Sequence, residues 1–468
     1  MNKRNRILGA FILISLAVGA AGLYAQIRDI DGDRGPGLCP GVHFRRTRPW
    51  IQATGEWRAE GSSLDRRIAA VVQEILPDLI AVRRDIHANP ELSLQETRTA
   101  ALVADRFKAL GLEVRTEIGG HGVLGILRGG KPGPVVGLRG DMDALPITEE
   151  TGLPFASKVR AVREGKEYGV MHACGHDIHT TVLLGVATVL SRLQKEIAGT
   201  VLFVAQPAEE YGRGGGAAEM IKEGVFKDIK PAAIFALHVD DTAPAGVIKY
   251  VPGFAMANVD SAAISVLSEG CHGANPNLCV DPIVVGSQIV VALQVMIARQ
   301  LNVHNDTVVT VGSFHAGSAN NIIPERADLR ATIRTYGDDQ RRLVREKIER
   351  TVANICASAG ARYTLDYQIG TPATYNDPTL IGDAAAVAER ILGQANVKQD
   401  LPDMGGEDFS YFAREAPSAM LFLGVEPKGA TATVHSPYFV ADEDGIGIGV
   451  RVMTAVLLDK LDRLRAKK

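Results

Sequence analysis

Cys174 and His176 stand one glycine apart in the run MHACGHDIHTT, Met171 to Thr181, with His172, Asp177 and His179 beside them. Downstream, QPAEEYG from Gln206 to Gly212 sets two adjacent carboxylates, Glu209 and Glu210, just after an apolar run. Thiolate, imidazole and carboxylate form the donor set of a zinc-type site. Like charges side by side in a cleft are costly unless a cation offsets them. We therefore read Glu210 as a metal ligand and Glu209 as the general base for water, later the proton donor to a leaving amine. A buried cysteine with a capping histidine, and a solvated acidic turn, are the plainer readings. The extra His and Asp residues around Cys174 favour the metal, as does the tie of the acidic pair to a core strand through Pro207 and Ala208. Asp177 is placed to cap the helix that follows.

Other candidates are weaker singly. His238 closes the apolar run Ala232 to Leu237, and open α/β sheets bind ligands at strand C-termini. A satisfied core histidine fits there equally. His435, in VHSPYF, is open in the same way, and Pro437 suits a histidine projected from a loop. Asp141 and Asp143, in LRGDMDALPI, either orient a ligand imidazole or form a polar turn. His272 in EGCHGANP, Asn321 in ANNIIPE and Arg334 at a strand end make a donor set for an oxyanion and a substrate carboxylate. Asn321 before a proline turn is also a common structural residue.

The elements that must carry these residues are legible from periodicity. A chain of 468 residues is long for one core, so two domains are expected. Helical spacing runs from Leu64 to Val82, and again over about Leu94 to Leu110, closed by Gly111. Strands at Val135–Arg139, Thr200–Ala205 and Ala232–Leu237 alternate with helices at Thr180–Leu193 and Ala217–Glu223, which predicts a layered α/β sheet. The pattern changes after Gly253. Strands at Val259–Val266, Thr307–Phe314, Ala327–Thr335 and Arg362–Tyr367, with helices at Asp281–Leu301 and Asp338–Ala359, give the β-α-β-β-α-β order of a ferredoxin-like module. Helices near Thr379–Leu392 and Asp442–Leu464 then return to the first pattern. The expected fold is α/β: a catalytic α/β/α metallopeptidase domain in two parts, 64–255 and 372–468, with a ferredoxin-like α+β lid or dimerisation domain, 256–371, inserted between them.

Lys3, Arg4 and Arg6 precede an uncharged stretch, Ile7 to Ala25, with small residues at Ala20, Ala21, Gly22 and Ala25. Residues 1–25 read as a secretory signal, with an uncleaved membrane anchor as the alternative. Either way the protein is expected outside the cytoplasm, periplasmic or extracellular. Residues 26–63 read as a linker or irregular arm, and no later segment reads as membrane-spanning. The net charge of -3 and the absence of a basic stripe argue against nucleic acid as a partner. Of the five cysteines, Cys271 and Cys279 are spaced to pair in an oxidising compartment, and free buried thiols are the alternative.

Taken together, the motifs resemble the amidohydrolase branch of the aminoacylase/carboxypeptidase metallopeptidases, which includes hippurate hydrolases, N-acyl-amino-acid hydrolases and auxin-conjugate hydrolases. The matching stretches are RRDIHANPELSLQET, LRGDMDALPITEETGLPFAS, MHACGHDIHTTVLLGVA, QPAEE, HGANP, VDPIV, NNIIPE, GGEDFSYF and HSP, in this order from Arg83 onward. The resemblance implies two divalent ions (Zn, Mn, Co or Ni) held by Cys174, His176, Glu210, His238 and His435. It implies Glu209 as base, Asp143 as a supporting carboxylate, and Asn321 and Arg334 as substrate-binding residues. His272 would reach the substrate, with the partner subunit of a homodimer built on the inserted domain as one source of it. The sequence departs from the family pattern at Glu269, Cys271 and Asn277 around His272, and in a longer loop bearing VREGKE from Val162. The expected activity is cleavage of the amide bond of N-acyl amino acids or small peptides by metal-activated water. Two rivals remain at this point: an amidase with Cys174 as nucleophile and His176 as its base, and a non-catalytic metal- or peptide-binding protein.

Overall fold

The computed structural model describes residues 62–212, 215–427, 429 and 433–466. The expected signal or anchor, 1–25, lies outside the described residues, as does the expected arm up to residue 61. Ser62 and Ser63 open the first helix, where the Ser62 hydroxyl and the Asp65 carboxylate close a capping box.

The helices among the described residues are α1 Ser63–Ala88, α2 Thr97–Ala109, α3 His176–Arg192, α4 Gly216–Lys222, α5 Pro282–Gln300, α6 Gly337–Ala359, α7 Pro378–Leu392, α8 Phe409–Glu415 and α9 Asp444–Ala466. The strands are β1 Glu113–Ile118, β2 Gly122–Arg128, β3 Lys131–Asp141, β4 Arg160–Arg163, β5 Lys166–Gly169, β6 Ala198–Gln206, β7 Ala233–Pro244, β8 Ile248–Tyr250, β9 Gly253–Met256, β10 Asn258–Leu267, β11 Cys271–His272, β12 Thr307–Ala316, β13 Ile322–Ile323, β14 Arg326–Thr335, β15 Arg362–Gln368, β16 Thr374–Asn376, β17 Val397–Gln399 and β18 Ser418–Glu426.

Eight strands form the large sheet, in the order β1-β2-β6-β3-β7-β18-β8-β17. Its centre, β6-β3-β7-β18, is parallel, so these strands end on one side. Both faces are covered, which is why β6 reads as an almost unbroken apolar run rather than an alternation. On one face α1, α3 and α9 pack together through Leu79, Leu183 and Val450. On the other, Met220 of α4 and Phe409 and Phe412 of α8 meet Leu202, Ile234 and Met420. Gly185 allows the first group to close, since a Cβ there would lie 2.5 Å from Val450 and 2.9 Å from Leu79.

The second sheet is antiparallel, ordered β12-β14-β10-β15, and α5 and α6 cover it through Ile289, Leu293, Val344 and Ile348. The chain order β10-α5-β12-β14-α6-β15 is the ferredoxin-like order expected from the sequence. Its way in and way out run side by side, because β9 pairs with β16.

Four expectations are corrected. α2 begins at Thr97, not Leu94; Leu94 has a positive φ of 68°, and its N–H donates to the Glu96 carboxylate. His238 does not end its strand, because β18 keeps pairing with β7 as far as Pro244. Only the pairing with β3 stops near it, at Ala236, and that leaves β7 open on one side there. Asp177 does not cap α3; the cap residue is Gly175, and the Asp177 carboxylate lies 2.7 Å from Arg83 Nε. Finally, α5 is long and apolar enough by composition to cross a membrane, but it turns Val285, Ile289, Leu293 and Met296 into the core of the small sheet.

Candidate metal centre

The five expected donors come from four separate places in the fold. Cys174 and His176 flank Gly175, whose φ of +77° makes the turn into α3; a Cβ there would lie 2.7 Å from Val239. Glu210 lies on a short 3-10 turn, Glu209–Tyr211, entered through Ala208 in a left-handed conformation. His238 projects from β7. His435 adopts a left-handed φ of 63° on the loop before α9, where its N–H donates to the carbonyl of Ala173 at 2.7 Å. Two non-glycine residues in this strained region at one site are what a functional constraint produces.

These donors converge. Cys174 Sγ lies 3.6 Å from His238 Nε2 and 3.3 Å from His435 Nε2. His435 Nε2 lies 3.0 Å from Glu210 Oε1, and His176 Nε2 lies 3.9 Å from that same oxygen. Cys174, His176 and His238 form one group able to share an ion, and Cys174, Glu210 and His435 another. His176 Nε2 is buried without a hydrogen-bond partner, a position that costs free energy unless something accepts its lone pair. A soft thiolate, three imidazoles and a carboxylate around an orphaned nitrogen fit a divalent transition-metal ion.

The surrounding residues orient the donors. His176 Nδ1 faces the carbonyl of Asp143 at 2.9 Å and its Oδ1 at 3.2 Å, which directs Nε2 toward the cluster. Asp143 Oδ2 accepts from Ser93 Oγ at 2.7 Å and from the N–H of Glu210 at 2.9 Å. One carboxylate therefore fixes both a ligand imidazole and the turn bearing the acidic pair. Asp141 holds His179 Nδ1 at 2.6 Å, and His179 Nε2 accepts the N–H of Val239 next to His238.

The electrostatics call for a cation. Burial pushes the Glu209 carboxyl well above the usual range, and Glu407, Glu210, Asp408 and Asp143 push it further. Burial likewise pushes the Cys174 thiol up, with Glu210 and Glu209 adding to it. A nucleophilic cysteine needs the opposite, a depressed value. The contacts of Cys174 are moreover to His238 and His435, while His176 is engaged with Asp143. This disfavours the thiol-amidase reading. Burial opposes charge on His176, but Asp141, Asp143 and Glu210 outweigh it and raise its value to about 10.

Sequence reasoning missed a second tier. Arg139 is fully buried and reaches Asp141 at 2.7 Å, Glu407 at 2.9 Å and Asp408 at 3.2 Å. Glu209, Glu407 and Asp408 gather within reach of a common point. Glu96 accepts the N–H of Ala208 at 2.7 Å and so pins the turn before Glu209. The available signal was the matching stretches themselves: Glu407 and Asp408 stand in GGEDFSYF, Arg139 in LRGDMDALPI and Glu96 in RRDIHANPELSLQET.

The three expected substrate residues stay apart from the cluster. His272 and Asn321 are exposed, joined by the Gly273 N–H to Asn321 carbonyl bond of 2.8 Å. Neither gives the cluster a hydrogen bond or ion pair among the described residues. Arg334, half-buried on β14, packs toward Gly406 beside Glu407.

Residues 137–459 match the family model described as Peptidase family M20/M25/M40. The chain belongs to this family. It is 38% identical over 382 residues to thermostable carboxypeptidase 1 of Saccharolobus solfataricus, covering 81% of this chain and 94% of that one. It is 39% identical over 346 residues to the hippurate hydrolase of Campylobacter jejuni, covering 73% and 86%. Among solved structures it is similar to a dinuclear metal-binding peptidase of the M20 family from Bacillus subtilis, with TM-score 0.71, 31% identity, and 83% and 99% of the two chains covered. This M20/M25/M40 member is thus a hydrolase of amide bonds, and its donor cluster matches the metal-binding character of that relative.

Proposed function

We propose that the enzyme cleaves N-acyl amino acids or small peptides, with two divalent ions held by Cys174, His176, Glu210, His238 and His435. The observation that carries this reading is the convergence of those five donors around an orphaned His176 Nε2. Ions bound there would supply Lewis acidity that polarises a carbonyl and acidifies water. Zinc, manganese, cobalt and nickel all suit the donor set. Glu209 takes the proton of the attacking water and returns it to the amine nitrogen as the C–N bond breaks. Asp143 keeps His176 in the tautomer whose Nε2 is free. His272, exposed and apart from the donors of its own chain, would donate to the carbonyl oxygen from the partner subunit of the proposed homodimer as negative charge develops, with Asn321 beside it on the inserted module, and Arg334 would pair with the substrate carboxylate. The names of the hippurate hydrolase and carboxypeptidase relatives support an acyl amino acid or peptide substrate.

The test is hydrolysis of a panel of N-acyl amino acids and dipeptides by full-length protein, stripped by chelation and reloaded with single metals. Metal-restored cleavage is expected. Undiminished turnover by protein shown to be metal-free would refute the reading.

The Cys271–Cys279 disulfide supports an exported, periplasmic or extracellular enzyme, with residues 1–25 as signal or anchor. The exposed Ile283, Val284, Val291 and Val295 of α5 support a homodimer joined through the inserted module.

A further inference from the structure

We propose that the Cys271–Cys279 disulfide is a positioning element of the active site, holding the turn that presents His272 to substrate. This rests on the role of His272 given above. No buried side chain of its own holds the turn: apart from the bridge it has the Ser268 hydroxyl donating to the Val280 carbonyl across its base at 2.6 Å, and local bonds from Asn275 N–H to the His272 carbonyl and from Leu278 N–H to the Asn275 carbonyl, at 2.8 and 3.1 Å. Residues 272–278 are all exposed, and the ladder beneath them is only two residues long, Cys271 with Ile323 and His272 with Ile322. Within the turn, His272 Nδ1 accepts the N–H of Ala274 at 3.0 Å, which leaves Nε2 as the protonated donor of the neutral ring. The same turn carries the Gly273 bond to Asn321, so both proposed donors move with it.

The bridge supplies the anchor that packing does not. It ties Cys271 to Cys279, eight residues on, and Cys279 lies two residues before Asp281. The Asp281 carboxylate caps α5 by accepting from the N–H groups of Ile283 and Val284. Helix α5 is in turn fixed in its core by Val285, Ile289, Leu293 and Met296. Through this path an exposed turn becomes part of a packed helix, as a site needs when its donors must hold to a fraction of an ångström.

The test uses the full-length, metal-loaded enzyme and the Cys271→Ser/Cys279→Ser double variant. Substitution is preferable to a reductant, which would also bind metal. An N-acyl amino acid cleaved by the parent serves as substrate. We expect unchanged metal content, a melting temperature lowered by a few degrees through loss of the cross-link but still well above the assay temperature, and kcat/KM lower by about ten- to a hundred-fold, with the loss mainly in kcat. In a His272→Ala background the same double substitution should cost almost nothing further, because coupled sites are non-additive. Parental kcat/KM in the double variant would overturn the proposal. So would an equal loss in the His272→Ala background, since the bridge would then act elsewhere. A fully active His272→Ala enzyme would overturn both the proposal and the role of His272, whereas a crippled one beside an active double variant would overturn the proposal alone. If the double variant fails to fold, a glycine inserted after Asn277 keeps the disulfide but slackens the turn, and the same loss is expected.

Discussion

Replacing Asp143 by asparagine removes one charge and keeps the shape, and the structure says where the strain must go. Oδ1 lies 3.2 Å from His176 Nδ1, while Oδ2 accepts from Ser93 Oγ at 2.7 Å and from the Glu210 N–H at 2.9 Å. Both oxygens face donors, so the new NH2 group must face one of them. Turned toward His176, it opposes the Nδ1 proton. Turned toward Glu210, it opposes an N–H that cannot accept, and it displaces the turn bearing Glu209 and Glu210. The Asp143 carbonyl still accepts from His176 Nδ1 at 2.9 Å, so the tautomer is kept. Loss of a partner behind a ligand costs roughly 10- to 100-fold in metal affinity, and the retained carbonyl sets the expectation near ten-fold, about 1.4 kcal/mol. The buried donor conflict should cost a further ~1–3 kcal/mol of stability. Competition against a chelator of known affinity measures the first effect, and thermal unfolding of the stripped protein measures the second. A folded Asp143→Asn protein that binds metal like the parent would show that Asp143 does not organise the centre.

Glu209→Gln should bind metal normally yet lose about 10²- to 10⁴-fold in kcat; near-parental turnover, with metal content checked by elemental analysis, would remove the general base from Glu209. Arg341 clasps Asp260 with two hydrogen bonds, of 3.0 and 2.8 Å, beneath the inserted sheet. Arg341→Met removes the cation from that buried carboxylate but leaves the Tyr367 hydroxyl and the Gly370 N–H donating to it, each at 2.9 Å, so the cost should lie near the low end of a broken buried pair, about 3 kcal/mol, read by urea unfolding. Burial opposes charge on His87, but Asp177 and Glu149 outweigh it and raise its pKa. A raised folded value means that this contribution is complete below the ordinary histidine value of about 6.5 and is lost as pH rises through the folded value. Melting temperatures across that window should fall for the parent and change less for His87→Gln, and parallel curves would contradict the assignment.

Cys174, His176, Glu209 and Glu210 were legible because they stand as rare donor types in short runs, whereas His238 and His435 were open readings singly and joined the proposed ligand set only through the family resemblance. All five expected ligands come together, and so does Asp143. The inserted module was legible as well, since its strands alternate and its helices keep their period. What escaped was of two kinds. β1, β2 and β18 went unread: β18 is buried on both faces, so it carries no alternation of its own, and β2 is interrupted by Gly125. The Arg139–Glu407–Asp408 group escaped because each member is an ordinary charged residue until the fold brings residues 139 and 407 together. The position of His238 was misjudged for a related reason. A strand ends where its partner lets go, and the partner here, β18, lies far along the chain.

That partner has a consequence for how the protein is made. β18 sits between β7 and β8 inside the large sheet, yet among the described residues it is the last strand in chain order and follows the whole inserted module. Until it arrives, β7 is a bare edge, a template for pairing with other chains. Closing that gap is a long-range event and a slow one. His435 comes later still, so a nascent chain cannot complete the proposed donor set before residue 435 has emerged. The inserted module, with its own core and local contacts, can form meanwhile. If the proposed ions bind these donors, their capture would come late in folding, and free metal ion would favour the assembled sheet by mass action.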